Sequence, residues 1–128
     1  MVAFKAVFSG LSVNDIKAAK QFYGDTLGLA LADDSMGLRW KLPSGGELFM
    51  YEKPNHEPAS YTALNFVVDD IDMAVDEMVA KGIVFERYDD MPVKPDEKGI
   101  LRGRQAQQGP DIAWFKDPAG NILAVLQP

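Results

Sequence analysis

A chain of 128 residues has the length of one ordinary domain with a real core, and 47% hydrophobic with 25% charged residues is the make-up of a soluble globular protein. The absence of cysteine excludes disulfides, thiolate metal sites and cysteine nucleophiles. A formal net charge of −6 argues against nucleic acid as a partner, because such binders need a basic face.

The opening residues, MVAFKAVFSG, lack the continuous apolar run of a signal peptide. No later run approaches the ~20 apolar residues that span a bilayer. The expected setting is therefore cytoplasmic, with no membrane partner. Phe4–Leu11 reads as a strand with apolar residues on both faces. Asp15 is a good N-cap for a helix whose stripe runs Ile16, Ala19, Phe22 or Tyr23, and Leu27, closed by Gly28. A short strand, Leu29–Ala32, and the turn at Asp33-Asp34-Ser35 lead into a hairpin of Leu38–Leu42 and Glu47–Glu52. Pro54 and Pro58 mark a linker.

The order then restarts. Tyr61–Val68 reads as a strand and Asp70 caps a second helix carrying Ile71, Ala74, Met78 and Val79, closed by Gly82. Ile83–Arg87 reads as a strand, and a hairpin of Ile112–Phe115 and Ile122–Leu126 follows a long irregular segment. Two offsets tie the halves together. The helix starts differ by 55, since 70 − 15 = 55 and 71 − 16 = 55. The hairpins differ by 75, since Pro118 matches Pro43 and Gly120 matches Gly45. The chain is thus expected to be one α+β domain of two tandem βαβββ units, 1–53 and 61–128, joined by a linker at 54–60.

Several marks accompany this duplication: Val13-Asn14-Asp15, Phe22-Tyr23, Leu27-Gly28, Val68-Asp69-Asp70 and Asp117-Pro118-Ala119-Gly120-Asn121. In this order they resemble the vicinal oxygen chelate superfamily, which holds glyoxalase I, extradiol dioxygenases, fosfomycin-resistance enzymes and bleomycin-resistance binding proteins. The resemblance covers the chain except Asp89–Gly109. It implies a curved mixed sheet forming a cup, with the helices on its outer side. It also implies that metal ligands would come from the first and last strands of each unit. Those positions are Phe8, Phe49, Ala63 and Ala124, consistent with the repeat because 63 − 8 = 55 and 124 − 49 = 75. None has a donor atom, so no metal or other cofactor is expected. The resemblance further implies a homodimer.

Without a metal, the cup remains as a concave surface. Strand parity gives it Phe8, Phe49, Tyr51, Tyr61, Asn65 and Trp114, with Arg39 near the rim, an aromatic wall suited to a small-molecule ligand. Trp40 has the opposite parity and is assigned to the core. Asp89–Gly109 is too long for a plain connection and reads as a lid, with Arg102 and Arg104 facing a carboxylate or phosphate of the ligand. The competing reading is a surface loop whose arginines pair with Asp89, Asp90, Asp96 or Glu97. Ser9 and Ser12 have no histidine partner in sequence, and the single His56 lies in the linker. The expected function is metal-independent binding of a small molecule, as in the bleomycin-resistance type. The alternative is an enzyme of the same superfamily, a lyase, isomerase or dioxygenase-like protein, metal-independent or with an unrecognised metal. In its metal-free form, Tyr51, Glu47 or an arginine would do acid–base or electrostatic work.

Overall fold

Strand β1 spans Ser9–Val13, five residues beyond the expected start at Phe4. The computed structural model describes residues 1–128, and the chain divides into two units, Met1–Glu57 and Pro58–Pro128. Each unit is a four-stranded mixed sheet backed by a helix, so the chain has the tandem βαβββ, α+β architecture. No helix is long and apolar enough to cross a membrane.

In the first unit, Asp15 caps helix α1, Ile16–Lys20, by accepting from the N–H groups of Lys17 (3.0 Å) and Ala18 (3.2 Å). The helix then widens into a π-helical segment, Gln21–Thr26, in which Leu27 N–H donates to Phe22 O at 2.9 Å. The wider turn settles which aromatic faces inward: Tyr23 is fully buried and Phe22 packs edge-on against it. Strands β2 (Ala32–Asp34), β3 (Gly37–Lys41) and β4 (Glu47–Glu52) complete the sheet in the order β1-β4-β3-β2, with β1 parallel to β4. The expected strand at Leu29–Ala32 is thus displaced to Ala32–Asp34, where Asp34 pairs with Gly37. A Cβ on Gly37 would lie 2.1 Å from Met50 O, so the close approach of β3 to β4 requires glycine there. Leu11, Val13, Leu38, Leu48 and Met50 meet Ala19 and Tyr23 in the core, and Trp40 lies half-buried on the same sheet face.

In the second unit, strand β5 (Thr62–Val67) is parallel to β8 (Ile122–Gln127), and the order is β5-β8-β7-β6. Helix α2, Ile71–Ala80, is capped by Asp70, whose side chain accepts from Met73 N–H at 3.1 Å. Ile71 and Val75 are its buried residues, whereas Val79, expected on the apolar stripe, is exposed. Strand β7 is Asp111–Lys116. The expected strand Ile83–Arg87 forms no ladder. It touches β7 through Glu86 N–H to Trp114 O at 2.8 Å, the Phe85–Phe115 ring contact at 5.8 Å and the Glu86–Lys116 ion pair at 3.5 Å. The paired edge strand is instead β6, Leu101–Arg102, further along the same edge of β7. A closed loop precedes it: Asp96 Oδ1 accepts from the N–H groups of Lys98 and Ile100, each at 2.9 Å, and Ile100 is fully buried.

The duplication extends to single bonds. Gly10 faces Phe49 and Asn65 faces Ala124, at the offsets 65 − 10 = 55 and 124 − 49 = 75. The hairpin turn Leu42–Gly46 is repeated by Asp117–Asn121, with Gly45 N–H to Leu42 O and Gly120 N–H to Asp117 O both at 3.0 Å. The first helical N–H of each unit is bound by the end of its last strand. Glu52 Oε1 accepts from Ile16 N–H and Gln127 Oε1 from Ile71 N–H, both at 3.1 Å, and 127 − 52 = 75 while 71 − 16 = 55.

Candidate functional site

The ladder Gly10–Phe49–Arg39 sets these residues on the face of the first sheet that points away from its helix. Phe8 and Tyr51 join them by alternation. Phe8 meets Phe49 edge-on, with centroids 6.5 Å apart, and Phe49 stacks on Tyr51 at 5.8 Å with 16° between the rings. The Arg39 guanidinium carbon lies 4.8 Å from the Phe49 centroid and 5.9 Å from that of Phe8. Its edge is held by carboxylates, with Nε 2.6 Å from Asp34 Oδ2 and a terminal nitrogen 3.4 Å from Glu47 Oε2. Donation from Arg39, then from Met36 N–H, holds the Asp34 carboxyl below the ordinary carboxylate range. Arg39 is therefore a fixed part of the wall, and its ring-facing side gives the cluster a cationic centre between two acids.

Ser12, on the same face opposite Tyr51, has its Oγ 2.6 Å from His56 Nδ1. This corrects the expectation that the histidine stands alone in a linker. The turn from Lys53 O to His56 N–H (3.0 Å) folds the segment back onto β1, a long-range contact with no local sequence signal.

In the second unit the ladder Asn65–Ala124–Trp114 occupies the equivalent face. Trp114 donates from Nε1 to Thr62 Oγ1 at 3.1 Å, and Tyr88 meets it edge-on at 5.5 Å. Burial, followed by the nearby Glu86 charge, pushes the Tyr88 phenol up from its ordinary value. Thr62 reaches Trp114 through a bulge: Thr62 stands opposite Ile122 and Leu64 opposite Leu123, so two steps on β5 match one on β8. Asn65 is exposed, and Tyr61 projects into solvent. Neither Thr62 nor Tyr88 was anticipated, since a bulge shifts parity without marking the sequence.

Arg102 is not where a ligand-facing fork would be. It pairs with Asp111, whose parity is that of the core residues Ala113 and Phe115, so it lies on the helix side of the sheet, opposite to Trp114. There its guanidinium forks onto Asp72 of α2 at 2.7 and 3.0 Å and bonds Asp96 at 3.0 Å. Asp72 is lowered to about 2, first by this bond. Lys98 reaches Asp76 and Asp72 on the same helix. Arg104 stays nearby, its N–H donating to Asp111 Oδ1 at 3.1 Å. Of the acids that the surface-loop reading names, Arg102 meets Asp96, while its fork goes to Asp72: residues 96–102 strap the acidic face of α2, because the carboxylates there satisfy the guanidinium.

A separate cavity of about 410 Å³ opens in the first unit between α1 and the β2–β3 turn. Lys17, Lys20, Asp33, Asp34 and Glu52 line it, with Lys20 already paired to Asp33 at 3.0 Å.

Residues 5–125 match the Glyoxalase/Bleomycin resistance protein/Dioxygenase superfamily. The chain belongs to this superfamily. Solved structures of similar fold include a glyoxalase family protein from Bacillus anthracis, 19% identical, with 99% of this chain and 98% of that one covered and a TM-score of 0.65. Another is TnmS3, an antibiotic binding protein from Streptomyces sp. CB03234, at 23% identity, 100% and 99% coverage and a TM-score of 0.63. A third is an integron cassette protein from the mobile metagenome of a Halifax Harbour sewage outfall, at 18% identity, 98% and 100% coverage and a TM-score of 0.67. No curated protein sequence matches the chain.

The donor set of this superfamily member does not fit the metal ion that the resemblance associates with the fold. Phe8, Phe49, Ala63 and Ala124 carry only hydrocarbon side chains, and the carboxylates beside the wall, Asp34 and Glu47, are both engaged by Arg39. No group of three or more histidine, aspartate or glutamate side chains is arranged to hold a metal ion.

Proposed function

We propose that this protein is a metal-independent small-molecule binding protein, acting by sequestration in the cytoplasm. The observation that carries the reading is the wall of Phe8, Phe49 and Tyr51 around Arg39. Parallel rings favour a flat, conjugated ligand that extends the Phe49–Tyr51 stack. Asp34 and Glu47 beside a single Arg39 favour a neutral or cationic ligand over an anion. The antibiotic binding relative makes planar antibiotics the first compounds to try. Native mass spectrometry of the purified protein tests for a retained molecule, and a thermal-shift panel of planar aromatic antibiotics tests for added ones. Phe49→Ala should weaken any hit at least ~10-fold, about 1.4 kcal/mol. A hit with unchanged affinity in Phe49→Ala would refute the assignment of the wall.

The enzyme reading keeps one observation in its favour, the 2.6 Å contact between Ser12 and His56 beside the same wall. A hydroxyl held on an imidazole is a proton-transfer pair. Chemical conversion of a bound compound by the native protein, lost in Ser12→Ala, would favour it. Recovery of the compound unchanged favours sequestration.

A further inference from the structure

The cavity between α1 and the β2–β3 turn lies wholly within the first unit. Its volume of about 410 Å³ falls within the ~300–1,000 Å³ of small-molecule sites. The lining combines apolar Ile16, Met36 and Leu38 with five charged side chains.

Pairing accounts for three of those charges. Asp33 is held by Lys20 at 3.0 Å, and Asp34 by Arg39, outside the cavity, at 2.6 Å. Lys17 and Glu52 remain. Glu52 gives Oε1 to Ile16 N–H at 3.1 Å, a neutral donor that leaves its charge without a cation. The Lys17 ammonium is bonded to no other side chain. One unpaired charge of each sign therefore lines the same space. The start of α1 adds no donor for an anion, because Glu52 takes the N–H of Ile16 and Asp15 takes those of Lys17 and Ala18. An anionic group must be met by the Lys17 side chain.

This pattern selects by charge. A simple anion that reaches Lys17 also meets Glu52, and a simple cation that reaches Glu52 also meets Lys17, so each has an unfavourable neighbour. A molecule carrying both signs satisfies both residues. Met36 supplies the apolar contact. Its N–H donates to Asp34 Oδ1 at 2.8 Å, which fixes the backbone, while its side chain keeps 74% of its surface. A flexible thioether so placed can fold over an alkyl group.

We infer that this cavity binds a small zwitterion with an apolar side chain, an α-amino acid such as leucine or methionine, with its carboxylate on Lys17 and its ammonium on Glu52. The inference does not rest on the reading of the aromatic wall.

The probes are leucine and methionine, with leucinamide, which lacks the carboxylate, and N-acetyl-leucine, which lacks the ammonium. Calorimetric titration of the native chain should give saturable binding of leucine or methionine with a Kd of about 1 mM or tighter, and each blocked compound should bind at least ~10-fold more weakly. Lys17 is exposed, so Lys17→Gln leaves the core untouched. This variant should lose at least ~10-fold in leucine affinity and no longer prefer leucine to leucinamide. Glu52→Gln keeps an oxygen for Ile16 N–H and should no longer prefer leucine to N-acetyl-leucine. Phe49→Ala should leave all these values unchanged, which separates a failure of this site from a failure of the wall. No saturation up to ~20 mM in the native protein, native binding that does not distinguish leucine from its blocked forms, or native affinity in Lys17→Gln would overturn the inference. Loss of leucine binding in Phe49→Ala would overturn it too, by moving the amino acid to the wall.

Discussion

Replacing Arg102 by Ala removes the centre of the strap on α2, and its cost follows from three contacts. The first is the fork on Asp72. Lowering that carboxyl from 3.8 to about 2 corresponds to at most about 2 kcal/mol, at ~1.4 kcal/mol per pH unit. The Asp72 side chain is 48% exposed, so solvent and salt screening reduce this to about 1 kcal/mol. The second is the bond to Asp96, at about 0.5 kcal/mol for a part-exposed pair. The third is Asp111, 7% exposed with Oδ2 3.6 Å from Arg102; weakening the compensation of a buried carboxylate costs about 1 kcal/mol or more. Arg102→Ala should therefore cost about 2–3 kcal/mol in urea unfolding at pH 7, and Asp72→Asn about 1 kcal/mol. The pH dependence has a definite sign. Asp72 is depressed on folding, so its contribution is complete above the ordinary carboxylate value and is lost as pH falls through about 2. The gap between wild type and Asp72→Asn should close between pH 4 and pH 2. An Arg102→Ala variant within 0.5 kcal/mol of wild type, or a gap that stays constant to pH 2, would refute the strap.

Gly37→Ala should cost about 1–3 kcal/mol by thermal or urea melting, because its Cβ would lie 2.1 Å from Met50 O and the β3–β4 ladder must shift. Glu52→Ala and Gln127→Ala should each cost about 1 kcal/mol, the value of a lost helix cap, whereas Glu52→Gln should retain most of it; denaturant midpoints check both. Titration with Zn²⁺, Ni²⁺, Mn²⁺ or Fe²⁺ should leave the melting temperature unchanged, and stoichiometric stabilisation by any of them would require a donor set other than the positions of Phe8, Phe49, Ala63 and Ala124.

What the sequence disclosed was local or periodic. The second hairpin was legible because its turn residues act on their own neighbours: Asp117 Oδ1 accepts from Ala119 and Asn121 N–H at 3.0 and 2.8 Å. The aromatic wall was legible through alternation, which places Phe49 and Tyr51 together whatever surrounds them. What stayed hidden depends on partners distant in the chain. β1 begins at Ser9 because Leu48 begins its ladder, not because Phe4 is a poor strand former. The ladder edge of β7 goes to Leu101–Arg102 because Asp96 and Ile100 anchor the loop before it, a choice that β propensity at Ile83–Arg87 cannot reveal. The sheet face that Arg102 takes is not legible in the sequence, because a two-residue strand after a long irregular segment has no parity to count from. The helix-start bonds of Glu52 and Gln127 were, in contrast, available in the sequence, since both sit at matching offsets of the repeat.

Those two bonds also set when each helix start can find its partner during synthesis. Each ties the first helical turn of a unit to the last strand of that unit, 36 residues apart in the first and 56 in the second. A helix emerging from the ribosome therefore waits for its own unit to be completed before that N–H is bound. The first unit acquires its bond once Glu52 is free of the exit tunnel, while the second cannot do so until Gln127 has followed. Between those points both partners of the first bond are available while α2 still lacks its second cap. Every residue of the aromatic wall, within 8–51, has by then been synthesised, so the wall needs no residue that is still to come.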